Sequence, residues 1–187
     1  RLVERYKIKI QSLHIHTGSE ITSVEVYLKM AEILFETARN FPDLKSLDFG
    51  GGFKVKYKED DRVTDMNLLG KELSGAFIGY CEKEGRDLEL WLEPGKFIVS
   101  EAGYLLTKAN VVKETPTVTF VGVDTGLNHL LRPMMYDAYH EIINGSNITG
   151  EKKKYNVVGN ICETDTLGAE REIHTVSEGD LIVIKNA

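Results

Sequence analysis

Apolar positions in the first half of the chain follow two alternating periods. In "IKIQSLHIH", Ile8, Ile10, Ser12, His14 and His16 share one face at a period of two, the spacing of a strand. From Ile21 to Asn40 the period lengthens. Val24, Leu28, Ala31, Leu34 or Phe35, and Ala38 recur at helical spacing, and "NFP" stops the run. "LKSLDF" predicts the next strand and leads into Gly50-Gly51-Gly52. Met66, Leu69, Leu73, Phe77 and Tyr80 mark a second amphipathic helix closed by Gly85, and "LELWLEPG" is a third strand ending at Glu93. Strand, helix, strand, helix, strand is the order of a parallel α/β sheet or barrel.

From about Ser100 the pattern changes. "YLLTKANVVKE", "TVTFVGVD", "YNVVGNIC" and "DLIVIK" are β-rich, with no comparable amphipathic helix between them. The expected organisation is an α/β part over residues 1–99 and an all-β domain over residues 100–187. The chain opens on "RLVERYKIKI", already inside a helix end or strand, and closes just after an apolar strand, so both ends are expected to be cut. No internal repeat or low-complexity segment interrupts it.

Composition narrows the partners. A chain of 187 residues, 42% hydrophobic, can bury a core. A net charge of −6 argues against nucleic acid and against a membrane surface, both of which need clustered positive charge. The basic run Lys152–Lys154 reads as a solvated loop, and the sequons at Asn144 and Asn147 as incidental. Cys81 and Cys162 form no CxxC pair and no disulfide framework, as expected in a reducing cytoplasm. No apolar run reaches the roughly 18 residues of a membrane span, and no signal peptide opens the chain.

Ligands of parallel α/β folds gather at the C-terminal strand ends. Those ends carry His16-Thr17-Gly18-Ser19, Gly50-Gly51-Gly52 and Glu93-Pro94-Gly95-Lys96. Consecutive glycines let backbone N–H groups converge on an anion such as phosphate, and Ser19 adds a hydroxyl donor. Alone, a glycine triplet is equally a permissive loop. The "HIH" spacing also suits a metal, but a metal site needs further His or Asp at other strand ends. The later ends offer glycines and a single Glu, while His129, His140 and His174 fall in the β half, so no metal is expected. His14 reads as a hydrogen-bonded core residue and His16, beside the turn, as the functional one.

Taken together, "HIHTGS", "DFGGGF", "EPGKFIVSEAGYLL", "LLRPMMY" and "VVGNICETDTLG" occur in the order found in the diaminopimelate decarboxylases, and nearly the whole chain resembles that family. These are pyridoxal-phosphate enzymes of alanine-racemase-like fold, close to the ornithine and arginine decarboxylases. The resemblance implies the last three units of a (β/α)8 barrel followed by an incomplete β-sandwich or barrel-like domain. It implies pyridoxal 5′-phosphate as cofactor, conversion of meso-2,6-diaminopimelate to L-lysine and CO2, and a homodimer with active sites shared across the interface.

Residue by residue, the resemblance has His16 stack on the pyridine ring and Ser19 with Gly50, Gly51 and Gly52 hold the phosphate. Glu93 would bond the pyridinium nitrogen, with Gly95 beside it. Lys96 stands where the family has Arg, so a contact to phosphate and substrate keeps its charge and loses bidentate geometry. Arg132 and Tyr136 would grip the substrate's distal end, Cys162 would act as proton donor across the dimer, and Glu163 would meet the distal ammonium. For a lone cysteine in a strand the default is an inert buried thiol, and only the "GNICE" context lifts Cys162 above it. "CETDTLG" is one Gly shorter than the family's pattern, leaving Asp165 without an assigned role.

The family's cofactor-bearing lysine is expected upstream of Arg1. Lys108 in "TKAN" mimics that motif, yet it lies where the chain enters the β domain and is expected to be structural, so the isolated chain is expected to be inactive. Alternatives are a decarboxylase of a polyamine precursor (carboxynorspermidine, ornithine or arginine type) and a non-catalytic relative. Intact Cys162, Glu93 and the glycine triplet argue against the latter.

Overall fold

A computed structural model describes residues 2–187, which form two compact units. One comprises residues up to 56 together with 60–99; the other comprises 57–59 and 100–187.

The first unit starts with a short helix, α1 (Leu2–Tyr6), and then alternates strands and helices. These are β1 (Ser12–His14), α2 (Val24–Ala38), β2 (Ser46–Asp48), α3 (Met66–Glu84), β3 (Glu89–Trp91) and the single-turn α4 (Gly95–Val99). The strands are parallel in the order β1-β2-β3, with Leu13, Leu47 and Leu90 in one register row and His14, Asp48 and Trp91 in the next. Period-two alternation therefore splits the sheet into two faces. The leucines pack into a core with Tyr27, Leu34, Phe49, Leu69, Leu73 and Phe77 from the helices and loops, where Phe35 and Tyr80 stack at 4.4 Å. The other face carries Ser12, His14, Ser46, Asp48 and Glu89 beside the half-exposed Trp91, and Ser46 donates to Ser12 on it at 2.9 Å. Asp65 caps α3 by accepting from Asn67 and Leu68 N–H, and Gly85 ends it at φ +63°, where a side chain would be strained.

The regular strands are shorter than the apolar pattern predicts, because Ile8 and Ile10 precede the ladder. Pairing does run on past β1 and β2, through Ile15 N–H to Asp48 O (2.9 Å) and Phe49 N–H to Trp91 O (3.0 Å).

The second unit holds β4 (Tyr104–Glu114), β5 (Thr119–Val123), the short helix α5 (Arg132–Tyr136), β6 (Ile142–Asn144), β7 (Lys152–Val158), β8 (Thr166–His174) and β9 (Leu181–Lys185). They form one mixed sheet in the order β6-β9-β4-β5-β7-β8, antiparallel except where β5 meets β7. The outer strands curl towards each other until Gly168 of β8 lies against Ile142 of β6, so the sheet is nearly a barrel around Val121, Val157, Leu167, Ile182 and Ile184. Two strands absent from the sequence expectation, β6 and β8, complete it. Lys152–Lys154 are exposed as expected but belong to β7 rather than to a loop. Lys108 sits within β4 opposite Leu181, and its N–H donates to Asp124 at 2.8 Å.

Candidate active site

Three strand ends of the first unit meet at the glycine triplet. Gly50 O accepts from Glu93 N–H at 2.8 Å, and Gly52 O accepts from Ile21 N–H at 2.9 Å. The approaches leave no room for a side chain. A Cβ on Gly51 would lie 2.1 Å from the Glu93 carbonyl oxygen, one on Gly52 2.1 Å from that of Gly18, and one on Gly50 2.7 Å from His16 Nδ1. Gly50 and Gly52 also have positive φ, +65° and +85°. Gly51→Ala is accordingly expected to destabilise the fold by at least about 1–3 kcal/mol, because its clash is with backbone that cannot yield locally. Urea unfolding of the variant against the parent measures it.

The expected convergence of three N–H groups on an anion needs correcting. Gly50 N–H donates to Asp48 Oδ1 (2.9 Å) and Gly51 N–H to His16 Nδ1 (3.3 Å). Among the described residues only the Gly52 N–H of this triplet makes no hydrogen bond. The triplet thus works chiefly through close approach, holding His16, Gly18 and Glu93 around one point. With Nδ1 accepting, a neutral His16 carries its proton on Nε2, and its ring stays exposed. Ser19 is exposed beside it. Behind the triplet the buried Tyr27 hydroxyl donates to Gly51 O at 3.1 Å, and burial pushes that phenol up to about 12, keeping it a neutral donor.

His14 is not the core residue expected. Its side chain is 47% exposed, and Nδ1 lies 3.1 Å from Asp48 Oδ2 and 3.9 Å from Glu93 Oε2. The sequence places Asp48, buried at the end of β2, inside the strand "LKSLDF" and gives it no role. Only the register row His14–Asp48 reveals its partner. Donor atoms of His14, Asp48 and Glu93 lie within 4.8 Å of one another, a set with metal-compatible spacing. The sequence count of potential ligands was therefore short by one. Asp48, however, already accepts from Gly50 N–H and pairs with His14, which accounts for its burial without a cation.

Lys96, on α4, contacts the carboxylate of Glu20, which also pairs with Lys54 at 2.5 Å; Lys54 reaches Asp61 at 3.3 Å. Burial opposes ionisation of Glu20, but the hydrogen bonds and charges of Lys54 and Lys96 outweigh it and hold the carboxyl below its ordinary range. Phe97 packs edge-on against Phe53 at 6.1 Å, fixing α4 beside the triplet. The arrangement offers a flat ring (His16), a carboxylate (Glu93), a hydroxyl (Ser19), a backbone N–H (Gly52) and an ammonium (Lys96). A phosphorylated, protonated heteroaromatic ring is the kind of molecule these groups complement.

In the second unit, α5 carries Arg132 and Tyr136, with Pro133 in its first turn and Asp137 ending it at φ +50°. Arg132 lies over the Tyr57 ring at 5.4 Å, and Tyr136 is 69% exposed. Cys162 and Glu163 sit in an exposed loop after β7, not in a strand, so the default of a buried strand thiol does not apply to Cys162. Asp165, which had no assigned role, organises that loop. Its buried carboxylate accepts from Leu127 N–H (2.8 Å) and Ile161 N–H (3.2 Å), and its backbone carbonyl accepts from Gly159 N–H (2.7 Å).

Comparison with known proteins places both units. Residues 1–100 match the family model described as "Pyridoxal-dependent decarboxylase, pyridoxal binding domain", and residues 96–187 match "Pyridoxal-dependent decarboxylase, C-terminal sheet domain". The chain is 32% identical to the diaminopimelate decarboxylase of Methanocaldococcus jannaschii over 97% of its own length and 42% of that protein's. Against the Aquifex aeolicus enzyme of the same name it is 35% identical, over 96% and 43%. The chain spans less than half the length of these curated relatives. A crystal structure of the M. jannaschii enzyme in complex with L-lysine superposes with a TM-score of 0.80, covering 92% of this chain and 41% of that one at 32% identity.

Proposed function

The chain belongs to the family of pyridoxal-dependent decarboxylases, and from that premise we propose that it is part of an enzyme converting meso-2,6-diaminopimelate to L-lysine and CO2. The observation that carries the proposal is the cradle in which Gly50, Gly51 and Gly52 hold the His16 side chain and the Gly18 and Glu93 carbonyls around one point. In this reading residues 1–99 are the last three βα units of the cofactor-binding barrel, and residues 100–187 are part of the sheet domain.

Pyridoxal phosphate, when bound, supplies the electron sink for the pair released as the α-carboxylate departs. His16 lends its flat face to the ring. Glu93 keeps the pyridine nitrogen protonated, since a carboxylate partner favours the charged form. Ser19 and the Gly52 N–H donate to the phosphate, Gly50 and Gly51 close the wall behind it, and Gly95 and Lys96 add a turn and a cation. At the substrate's distal end Arg132 meets the carboxylate, Tyr136 packs beside it, and Glu163 meets the ammonium. Cys162, acting across a homodimer interface, gives its proton to the α-carbon after the bond to CO2 has broken. No helix among the described residues is long and apolar enough to cross a membrane. We assign the enzyme to the cytoplasm on its two free cysteines, which suit a reducing compartment.

The distal carboxylate sets the specificity. A substrate lacking it leaves a cation without its partner, which costs at least about 2 kcal/mol. Full-length protein with pyridoxal phosphate is therefore expected to show kcat/KM for meso-diaminopimelate at least about 30-fold above those for ornithine, arginine and carboxynorspermidine. Preference for any of the three would replace the diaminopimelate assignment by a polyamine-pathway one. Inactivity towards all four would favour a non-catalytic relative.

A further inference from the structure

Arg132 is supported by contacts that lead into the core of the second unit. Its guanidinium carbon lies 5.4 Å from the centroid of the Tyr57 ring. Tyr57 in turn meets the His140 ring edge-on at 5.5 Å and 75°. His140 is fully buried, and its Nδ1 is 3.0 Å from the Lys185 carbonyl oxygen on β9. That bond needs a proton on Nδ1, so the imidazole has one tautomer when neutral, and burial holds its pKa below the ordinary range. A second guanidinium, Arg171, lies 4.1 Å over the Tyr139 ring. Charges of Arg132 and Arg171 both oppose protonation of His140.

An arginine on a five-residue helix has little backbone to fix it. A cation held over an aromatic face keeps its N–H edge directed outward, because the ring occupies only the face. We propose that Tyr57 is a positioning residue for Arg132, held in place by His140, which is itself anchored to Lys185 of β9, and that it sets the enzyme's affinity for the distal carboxylate of its substrate. This rests on the assignment of Arg132 to that carboxylate, made above. Tyr57 touches no reacting atom in this scheme; it acts by restricting where the guanidinium can go.

The test compares two ligands on the full-length enzyme loaded with pyridoxal phosphate: meso-diaminopimelate, which has a distal carboxylate, and L-lysine, which lacks one. Affinities are read from the change in cofactor absorbance on titration, alongside KM and kcat. In Tyr57→Leu, diaminopimelate is expected to bind about tenfold more weakly while L-lysine binding is unchanged. KM should rise far more than kcat falls. Tyr57→Phe, which keeps the ring, is expected to restore parental affinity. Equal loss for both ligands, no loss for either, or failure of Phe to restore would overturn the proposal. Should Tyr57→Leu not fold, Tyr57→Met keeps an apolar side chain of similar length without the π face and is judged by the same outcomes. Arg132→Gln separates the two levels. If it loses no selectivity for diaminopimelate, the assignment of Arg132 itself is wrong. If it does and the Tyr57 variants do not, only the positioning role fails.

Discussion

Replacing Cys162 by alanine in the full-length protein is expected to lower turnover by roughly 10²–10⁴ while leaving cofactor binding nearly unchanged, the typical worth of one positioned general acid. The thiol lies in an exposed loop of the second unit whose backbone is tied down by Asp165, so its removal leaves the fold's polar anchors intact. A proton that Cys162 no longer supplies can be delivered to the cofactor instead of the substrate, and conversion of pyridoxal phosphate to its amine form should therefore rise. Action across a dimer adds a sharper expectation. Cys162→Ala subunits keep Glu93, and Glu93→Gln subunits keep Cys162. Random mixing leaves half the dimers mixed, each with one intact site, so about a quarter of parental activity should return. Exchange of subunits without any recovery would rule out a shared site, and full activity of Cys162→Ala alone would rule out the donor role.

The second large effect is expected at Glu93. Glu93→Gln keeps the size and the hydrogen-bonding reach but cannot stabilise a positively charged ring nitrogen. Turnover is expected to fall by about 10²–10³, the usual cost of removing one preorganised electrostatic contact. Binding through Ser19, Gly52 and Lys96 would persist, so the loss should appear in kcat more than in cofactor affinity. Glu93 is also 3.9 Å from His14, and the substitution removes a carboxylate from beside that ring. A His14→Gln control with parental turnover would locate the effect at Glu93.

Much of this architecture is legible in the chain because α2 and α3 bury one clean stripe each and the strands beside them run into turns holding glycine or proline. The β half is legible where a strand carries an apolar pair or run, such as Leu105-Leu106 and Val111-Val112 in β4, Val157-Val158 in β7 or Ile182-Val183-Ile184 in β9. In β8, Glu170 and Glu172 interrupt the apolar residues, and β6 is three residues long, so neither produces a periodic signal. Helix α5 escapes for the same reason, being a single turn that Pro133 initiates. The site divides similarly. His16, Ser19, Gly50–Gly52 and Glu93 stand out because each occupies a strand end, where the parallel fold gathers chemistry. Asp48 and Tyr57 do not, since their importance lies in which side chain faces them, His14 in one case and Arg132 in the other. Those pairings follow from register and packing, which local composition does not encode. The glycine triplet teaches the same lesson: its sequence suggested donors, whereas its geometry spends two of the three N–H groups on Asp48 and His16.

The most direct measurement is the position of the cofactor in a crystal structure of the full-length protein grown with pyridoxal 5′-phosphate. The phosphate is expected within hydrogen-bond distance of Ser19 Oγ and the Gly52 N–H, with the pyridine nitrogen on Glu93 and the ring face on His16. A phosphate bound elsewhere on the barrel mouth, with the Gly50–Gly52 loop turned away from it, would contradict the assignment of this site.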